Sequence, residues 1–246
     1  MNKLVISAIA AIAFGVGPAL SADLPPRPPM YKAPPPPPMV TTWTGCYIGV
    51  NGGGAWGRTR TTGNWTIPAG ASVGNDIDGG FVGGQVGCDY QIQNNWVIGA
   101  EATGDWADIE GSVANAGGIP LHTLRHRING FATFTGRLGY TQDRWMIYAK
   151  GGAAWANMDY TSLIAACPGG VCSVNGDKWG WTIGAGLEYM LWSNWSAKVE
   201  YQYLDFRSDR VGFGGFPGIF SDTDARVHTI KAALNWHWGG PLSARY

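Results

Sequence analysis

The sequence is poor in charge. Of its 246 residues only 14% are Asp, Glu, Lys or Arg, against roughly a quarter in ordinary soluble proteins. The charges cancel, with 17 basic and 17 acidic residues. No run of Lys or Arg occurs, so nothing could neutralise a phosphate backbone, and nucleic acid is excluded as a partner. Beyond the first 22 residues no apolar stretch approaches the ~20 residues of a spanning helix. Cysteine is scarce, at four residues. None has zinc-finger spacing, so neither a metal nor another cofactor is expected.

What is abundant is aromatic and small. There are 13 Trp and 38 Gly. The chain opens with a short basic segment at Lys3 and an unbroken apolar run from Leu4 to Val16. Cleavage after Ser21 or Ala22 makes residues 1–22 a secretory signal peptide, which places the mature chain in an oxidising compartment. Residues 23–42 are proline-rich, including Pro34 to Pro38, and read as an extended leader that cannot enter a sheet.

From Trp43 onward the pattern is alternation. In WVIGAEATGDW (96–106) one parity is uncharged with a Trp at each end, and the other carries Glu101 and Asp105. Successive strand residues point to opposite faces. Seven further runs repeat the pattern: 43–57, 80–91, 126–141, 145–157, 178–190, 195–206 and 226–238. Apart from Asp205 and Arg226 at the outer ends of two runs, the apolar parities carry no charge. The strand-embedded charges (Asp89, Glu101, Asp105, Arg137, Lys150, Glu188, Lys198, Glu200, Lys231) all lie on the other parity. A basic residue facing lipid at mid-bilayer costs ~2–4 kcal/mol, so lipid imposes this sorting. Ten residues at ~3.3 Å rise, tilted about 40°, cover the ~25 Å apolar band.

The spacing therefore predicts an all-β fold, an eight-stranded antiparallel transmembrane β-barrel of up-and-down topology over residues 43–238. Residues 239–246 are a short tail. Connections alternate, with short periplasmic turns and four long outer loops at 58–78, 108–123, 158–177 and 208–224. Tyr90, Trp96, Tyr140, Trp145, Tyr189, Trp195 and Trp236 form the periplasmic aromatic girdle. Trp56, Trp106, Trp155 and Trp181 form the outer one, and Trp238 ends the last strand.

Four stretches carry a family resemblance: WTGCYIGVNGGGAWG (43–57), GGFVGGQVGCDYQIQNNWVIGAEATGDW (79–106), TGRLGY (135–140) and VHTIKAALNWHW (227–238). Together they resemble the small OmpA-like, porin-like outer-membrane barrels that serve as surface antigens of Gram-negative bacteria. The resemblance implies a cell outer membrane location, a monomer among outer-membrane lipid, and recognition of the last strand by the barrel-insertion machinery. Trp238 fits that signal, although eight residues follow it. It also implies a structural, envelope-integrity role rather than an enzyme.

Three functional expectations follow. The lumen charges balance closely enough for a salt-bridged plug, with Glu188 placed opposite Lys198; a small porin-like channel for polar solutes is the alternative. The outer loops offer a third reading, an adhesin or haem-binding surface for a host or surface ligand, with Phe213, Phe216, Ile219 and Phe220 as a contact patch and His122 and His126 as solvated residues or ligands. Asp222, Asp224 and His228 superficially resemble a proteolytic cluster but lack a second carboxylate pair. Cys167 and Cys172, within CPGGVC, are expected to form a disulfide. Cys46 and Cys88 are either cross-linked or two small apolar side chains.

Overall fold

The computed structural model describes residues 42–63, 70, 72–92, 95–116, 123–163, 171–212 and 220–238. The signal peptide, the proline-rich leader, the tail, His122, Cys167 and the aromatic patch at 213–219 lie outside the described residues, as do the side chains of Cys172 and Phe220.

Eight strands follow in chain order: β1 (Gly45–Gly63), β2 (Ser72–Gln91), β3 (Trp96–Ala114), β4 (Thr123–Gln142), β5 (Trp145–Leu163), β6 (Val171–Trp192), β7 (Trp195–Gly212) and β8 (Phe220–Trp238). Each pairs antiparallel with its neighbours, and β1 pairs with β8, so the sheet closes into a barrel. Closure leaves no unpaired edge, a condition lipid imposes because no water is there to satisfy backbone groups. Asn95 and Asp143 take left-handed backbone angles (φ 68° and 53°) at two of the short turns, where Asn and Asp tolerate that conformation.

The alternation holds in every strand. Ile48, Val50, Val82, Val86, Ile98, Phe134, Leu138, Ile147, Ile183, Leu187, Val199 and Ile230 are exposed on the outer wall. Every charge that the sequence sorted to the other parity is buried inside. At the short-turn end, ring pairs Trp96–Tyr140 and Trp145–Tyr189 lie 5.5 and 4.4 Å apart.

Strand length departs from expectation. The strands run 18–22 residues, about twice the lipid band, and they consume much of what reads as long loops. The connections at that end shrink to 64–71, 115–122, 164–170 and 213–219. Past the outer Trp residues the outer face turns polar, and the inner face mixes apolar residues such as Ile109 and Met158 with polar ones such as Thr59 and His126. Backbone pairing continues there without an apolar outer face to announce it, interrupted by register shifts such as Trp106/Ile109 and Phe206/Asp209.

Cys46 and Cys88 are directly opposite in the β1–β2 register and form a disulfide. It ties the first two strands together at the short-turn end, beside the β1–β8 seam, where Cys46 also faces Trp238. Alkylation of the unfolded, unreduced protein should leave both thiols unlabelled. Cys46→Ser/Cys88→Ser should fold to the same barrel with a lower urea midpoint, a loss of up to ~2–4 kcal/mol. Labelling of either thiol would contradict the bond.

Candidate functional site

The inward faces of the eight strands build the lumen, and they stack in storeys. At the short-turn end Trp43, Val97, Met146, Tyr148 and Met190 make an apolar floor. Trp43 is almost fully buried and is held by its backbone N–H, which donates to Gln91 Oε1 at 2.9 Å.

Above the floor lies the charged storey. Arg137 on β4 is its hub. Its Nη2 donates to Glu188 Oε2 at 2.7 Å, and its Nη1 donates to Tyr47 OH at 2.7 Å. Asp89 and Glu101 lie 3.4 and 3.6 Å from the same guanidinium. The ring of Tyr148 sits under it, 4.3 Å from centroid to Cζ. Tyr47 OH in turn donates to Glu101 Oε2 at 2.6 Å. Lys150 joins Glu101 and Glu200 at 2.8 and 2.7 Å. Lys198 donates to Glu101 at 2.5 Å, and Lys231 lies 3.1 Å from Glu200. Ser196, Asn235 and His237 surround the other oxygen of Glu188.

All of these groups are nearly sealed from solvent. Charges in such a place are tolerable only when each meets its counter-charge and its remaining hydrogen bonds. Two features were invisible in the sequence. Tyr47, Tyr148, Ser196, Asn235 and His237 belong to the network, although nothing but their inward parity marks them. Glu188 and Lys198 are neighbours in register, yet the bond of Glu188 runs across the lumen to Arg137. An eight-stranded barrel is narrow enough for side chains to reach non-adjacent strands.

Asp105 corrects the expectation that each lumen charge finds an ion pair. It is buried, but among the described residues no cation lies within ion-pair distance. Asn51 and Thr103 stand beside it, and its oxygens make no well-formed hydrogen bond. Its charge is therefore a cost rather than a support. Asp105→Asn should leave the urea midpoint unchanged or raise it, whereas Glu101→Gln, which strips Lys150 and Lys198 of a partner, should lower it. A large loss from Asp105→Asn would show a partner that this geometry lacks.

A third storey is apolar, and the sequence reading missed it. Ala55, Ile77, Phe81, Ile109, Ile128, Phe131, Ala154, Met158, Leu204, Phe206 and Val227 point inward and form one buried cluster. Phe81 and Phe131 meet edge to face, 5.2 Å between centroids. These residues sit in or just beyond the outer ends of the alternating runs, where they read as flanking sequence. The only signal was parity: all but Ile128 continue the inward register of the charged residues, and the bulge between Ile128 and Gly130 turns Ile128 inward against it.

Near the long-loop end the lumen turns polar again. His126 is buried and bonded to Thr59 Oγ1 at 2.6 Å, so it is neither a solvated loop histidine nor an open ligand. Among the described residues no cluster of His, Cys, Asp and Glu could hold a metal. The Asp222, Asp224 and His228 set does not assemble a catalytic pair. His228 faces outward, bonded through Nδ1 to Tyr201 OH at 2.7 Å, and Asp222 and Asp224 stand opposite Thr62 and Arg60.

The outer membrane protein beta-barrel domain model matches residues 31–237. The chain is 32% identical to the 31 kDa outer-membrane immunogenic protein of Brucella melitensis over 245 residues, covering 96% of this chain and 99% of that one. It is 27% identical to the 25 kDa outer-membrane immunogenic protein of Brucella ovis, covering 87% and 97%. Among solved structures, the outer membrane protein OprG from Pseudomonas aeruginosa is similar at a TM-score of 0.43 and 13% identity, covering 80% of this chain and 99% of that one.

Proposed function

Because the chain belongs to the outer membrane protein beta-barrel domain family, we propose that this outer-membrane protein is a structural and surface-exposed antigenic barrel whose lumen is closed. One observation carries the reading. The interior is filled twice over, by a charge network centred on Arg137 and Glu101 and by an apolar cluster centred on Phe81 and Phe131. A solute path would have to break buried ion pairs and then cross a dry storey. The porin-like alternative draws support from the polar groups around Asn51 and Asp105, but these lie between the two closures.

The short turns then face the periplasm and the four longer connections face outward. That orientation puts the charged wall beyond the outer Trp residues at the cell surface. The relatives' names call them immunogenic, and surface display of this wall and its loops agrees with such a role here. An adhesin or haem-binding function would act through the same four connections. No catalysis is proposed, because Asp89, Glu101, Glu188 and Glu200 are tied to cations, Asp105 among the described residues stands alone with no second carboxylate, and the His228 region assembles no pair. The barrel works as a monomer in lipid, and its last strand, ending at Trp238, is the segment offered to the insertion machinery.

The test is removal. Cells lacking the protein should become more sensitive to detergent and to bulky antibiotics, and both the wild-type chain and one with shortened outer connections should restore resistance. Unchanged sensitivity on removal would defeat the structural reading. Restoration by the full chain alone would move function to the connections.

A further inference from the structure

We propose that the outer wall of β7, β8 and β1, at the outer-leaflet level, is a docking site for a phosphorylated glycolipid headgroup. The proposal uses the orientation argued above and goes beyond it. Two arginines mark the place. Arg58 and Arg226 are direct Cα partners across the β1–β8 seam, and like charges placed opposite each other on one face repel. Both side chains are about two-thirds exposed. Among the described residues each is held through Nε alone: Arg58 to Asp76 at 2.7 Å, Arg226 to Asp205 at 3.7 Å. That anchoring leaves the terminal nitrogens of both forks for an incoming oxyanion, the geometry that guanidinium offers to phosphate.

Arg127, on the opposite side of the wall, differs. Its Nη2 and Nε are both occupied, by Asp108 at 2.8 Å and Glu110 at 3.2 Å. The arginine pair at the seam is thus set apart by its two facing forks and by the terminal nitrogens that they leave unbonded among the described residues.

Directly below the pair, two residues toward the lipid band on each strand, lie Trp56 and His228. Their rings are nearly parallel, 14° apart in plane and 6.0 Å apart in centroid. Tyr203 packs on His228 at 5.1 Å, and Tyr201 OH holds His228 Nδ1. Trp56 and Tyr201 are each 44% exposed. A lipid-facing surface needs no histidine, and aliphatic side chains would satisfy acyl chains at lower cost. Flat aromatic faces with phenol and imidazole groups fit a sugar ring, which presents C–H bonds on its face and hydroxyls at its edge. Arginine forks over such a platform fit a phosphate carried by that sugar. A simple phospholipid offers the phosphate without the ring. The glycolipid therefore uses both halves of the surface.

The test uses the full chain, folded in neutral detergent micelles and titrated with lipid A or with phosphatidylglycerol, bound lipid being counted by native mass spectrometry. Lipid A should bind the wild-type protein more tightly than phosphatidylglycerol. Arg58→Gln/Arg226→Gln should weaken lipid A by about 30-fold, at roughly one basic residue's worth of attraction each. Arg58→Lys/Arg226→Lys, which keeps the charge and loses the fork, should fall between. Arg127→Gln should bind within about twofold of wild type, since Arg127 lies away from the seam and two of its three nitrogens are held by carboxylates. Equal lipid A binding by wild type and the double Gln variant would overturn the proposal. Phosphatidylglycerol binding as tight as lipid A would overturn the glycolipid assignment. Binding in micelles reads this surface alone, so it can fail while the envelope role stands, and the reverse.

Discussion

Arg137→Ala should be the most damaging single change in the lumen, lowering stability by about 3–5 kcal/mol as one partner of a buried ionic cluster is removed. The guanidinium touches Glu188, Asp89, Glu101 and Tyr47 and rests on Tyr148. Without it, among the described residues, Asp89 keeps no cation within ion-pair distance and Glu188 keeps only His237. Arg137→Lys should recover part of the loss, because a point charge cannot reach three carboxylates as a planar fork does. Arg137→Met/Glu188→Gln should be less damaging than Arg137→Ala, because a buried pair removed together leaves less charge exposed to the apolar interior. The measurement is the urea midpoint of the barrel refolded in lipid vesicles. Equal midpoints for wild type and Arg137→Ala would remove the hub from the account.

The apolar storey makes the second large prediction. Phe81→Ala and Phe131→Ala should each cost about 3–5 kcal/mol, the usual cost of emptying a buried phenyl site. Their rings touch, and an edge-to-face pair is worth about 0.5–1.5 kcal/mol beyond burial. The double variant should therefore lose less than the sum of the singles by about that amount. Neither substitution touches the charged storey, so neither should make the barrel conduct. Near-neutral midpoints for both singles would show that this storey is loosely packed and does not close the lumen.

The strand pattern was legible because lipid enforces it. A charge misplaced onto the outer wall has nowhere to go, so Glu101, Lys150 and Lys231 could be assigned to the lumen from parity alone. Strand ends were not legible beyond the Trp residues. There Arg58, Asp76, Glu110 and Arg127 stand outside while Thr59, Asn75 and His126 stand inside beside Ile77 and Ile109, and a charged outer face does not match the apolar outer face that marks the lipid band. The apolar storey was hidden for the opposite reason. Phe81, Ile109 and Phe131 point inward, and lipid places no rule on what fills a lumen. Ion-pair choice was also beyond reach. Register predicts neighbours such as Glu188 and Lys198 correctly, but the side chains bond across the barrel, and that depends on its diameter and on how long each side chain is. The Cys46–Cys88 bond lay between these cases: both residues shared a face and an end, and only the register of β1 on β2 brought them opposite.

The central claim is that the lumen is closed by two independent storeys. Planar-bilayer recording of the refolded, full-length protein tests it most directly. The account predicts no steady conductance from the wild type, none from Phe81→Ala/Phe131→Ala, and none from Glu101→Gln, since each variant leaves one closure intact. Steady, voltage-stable conductance steps from the wild-type protein would contradict it.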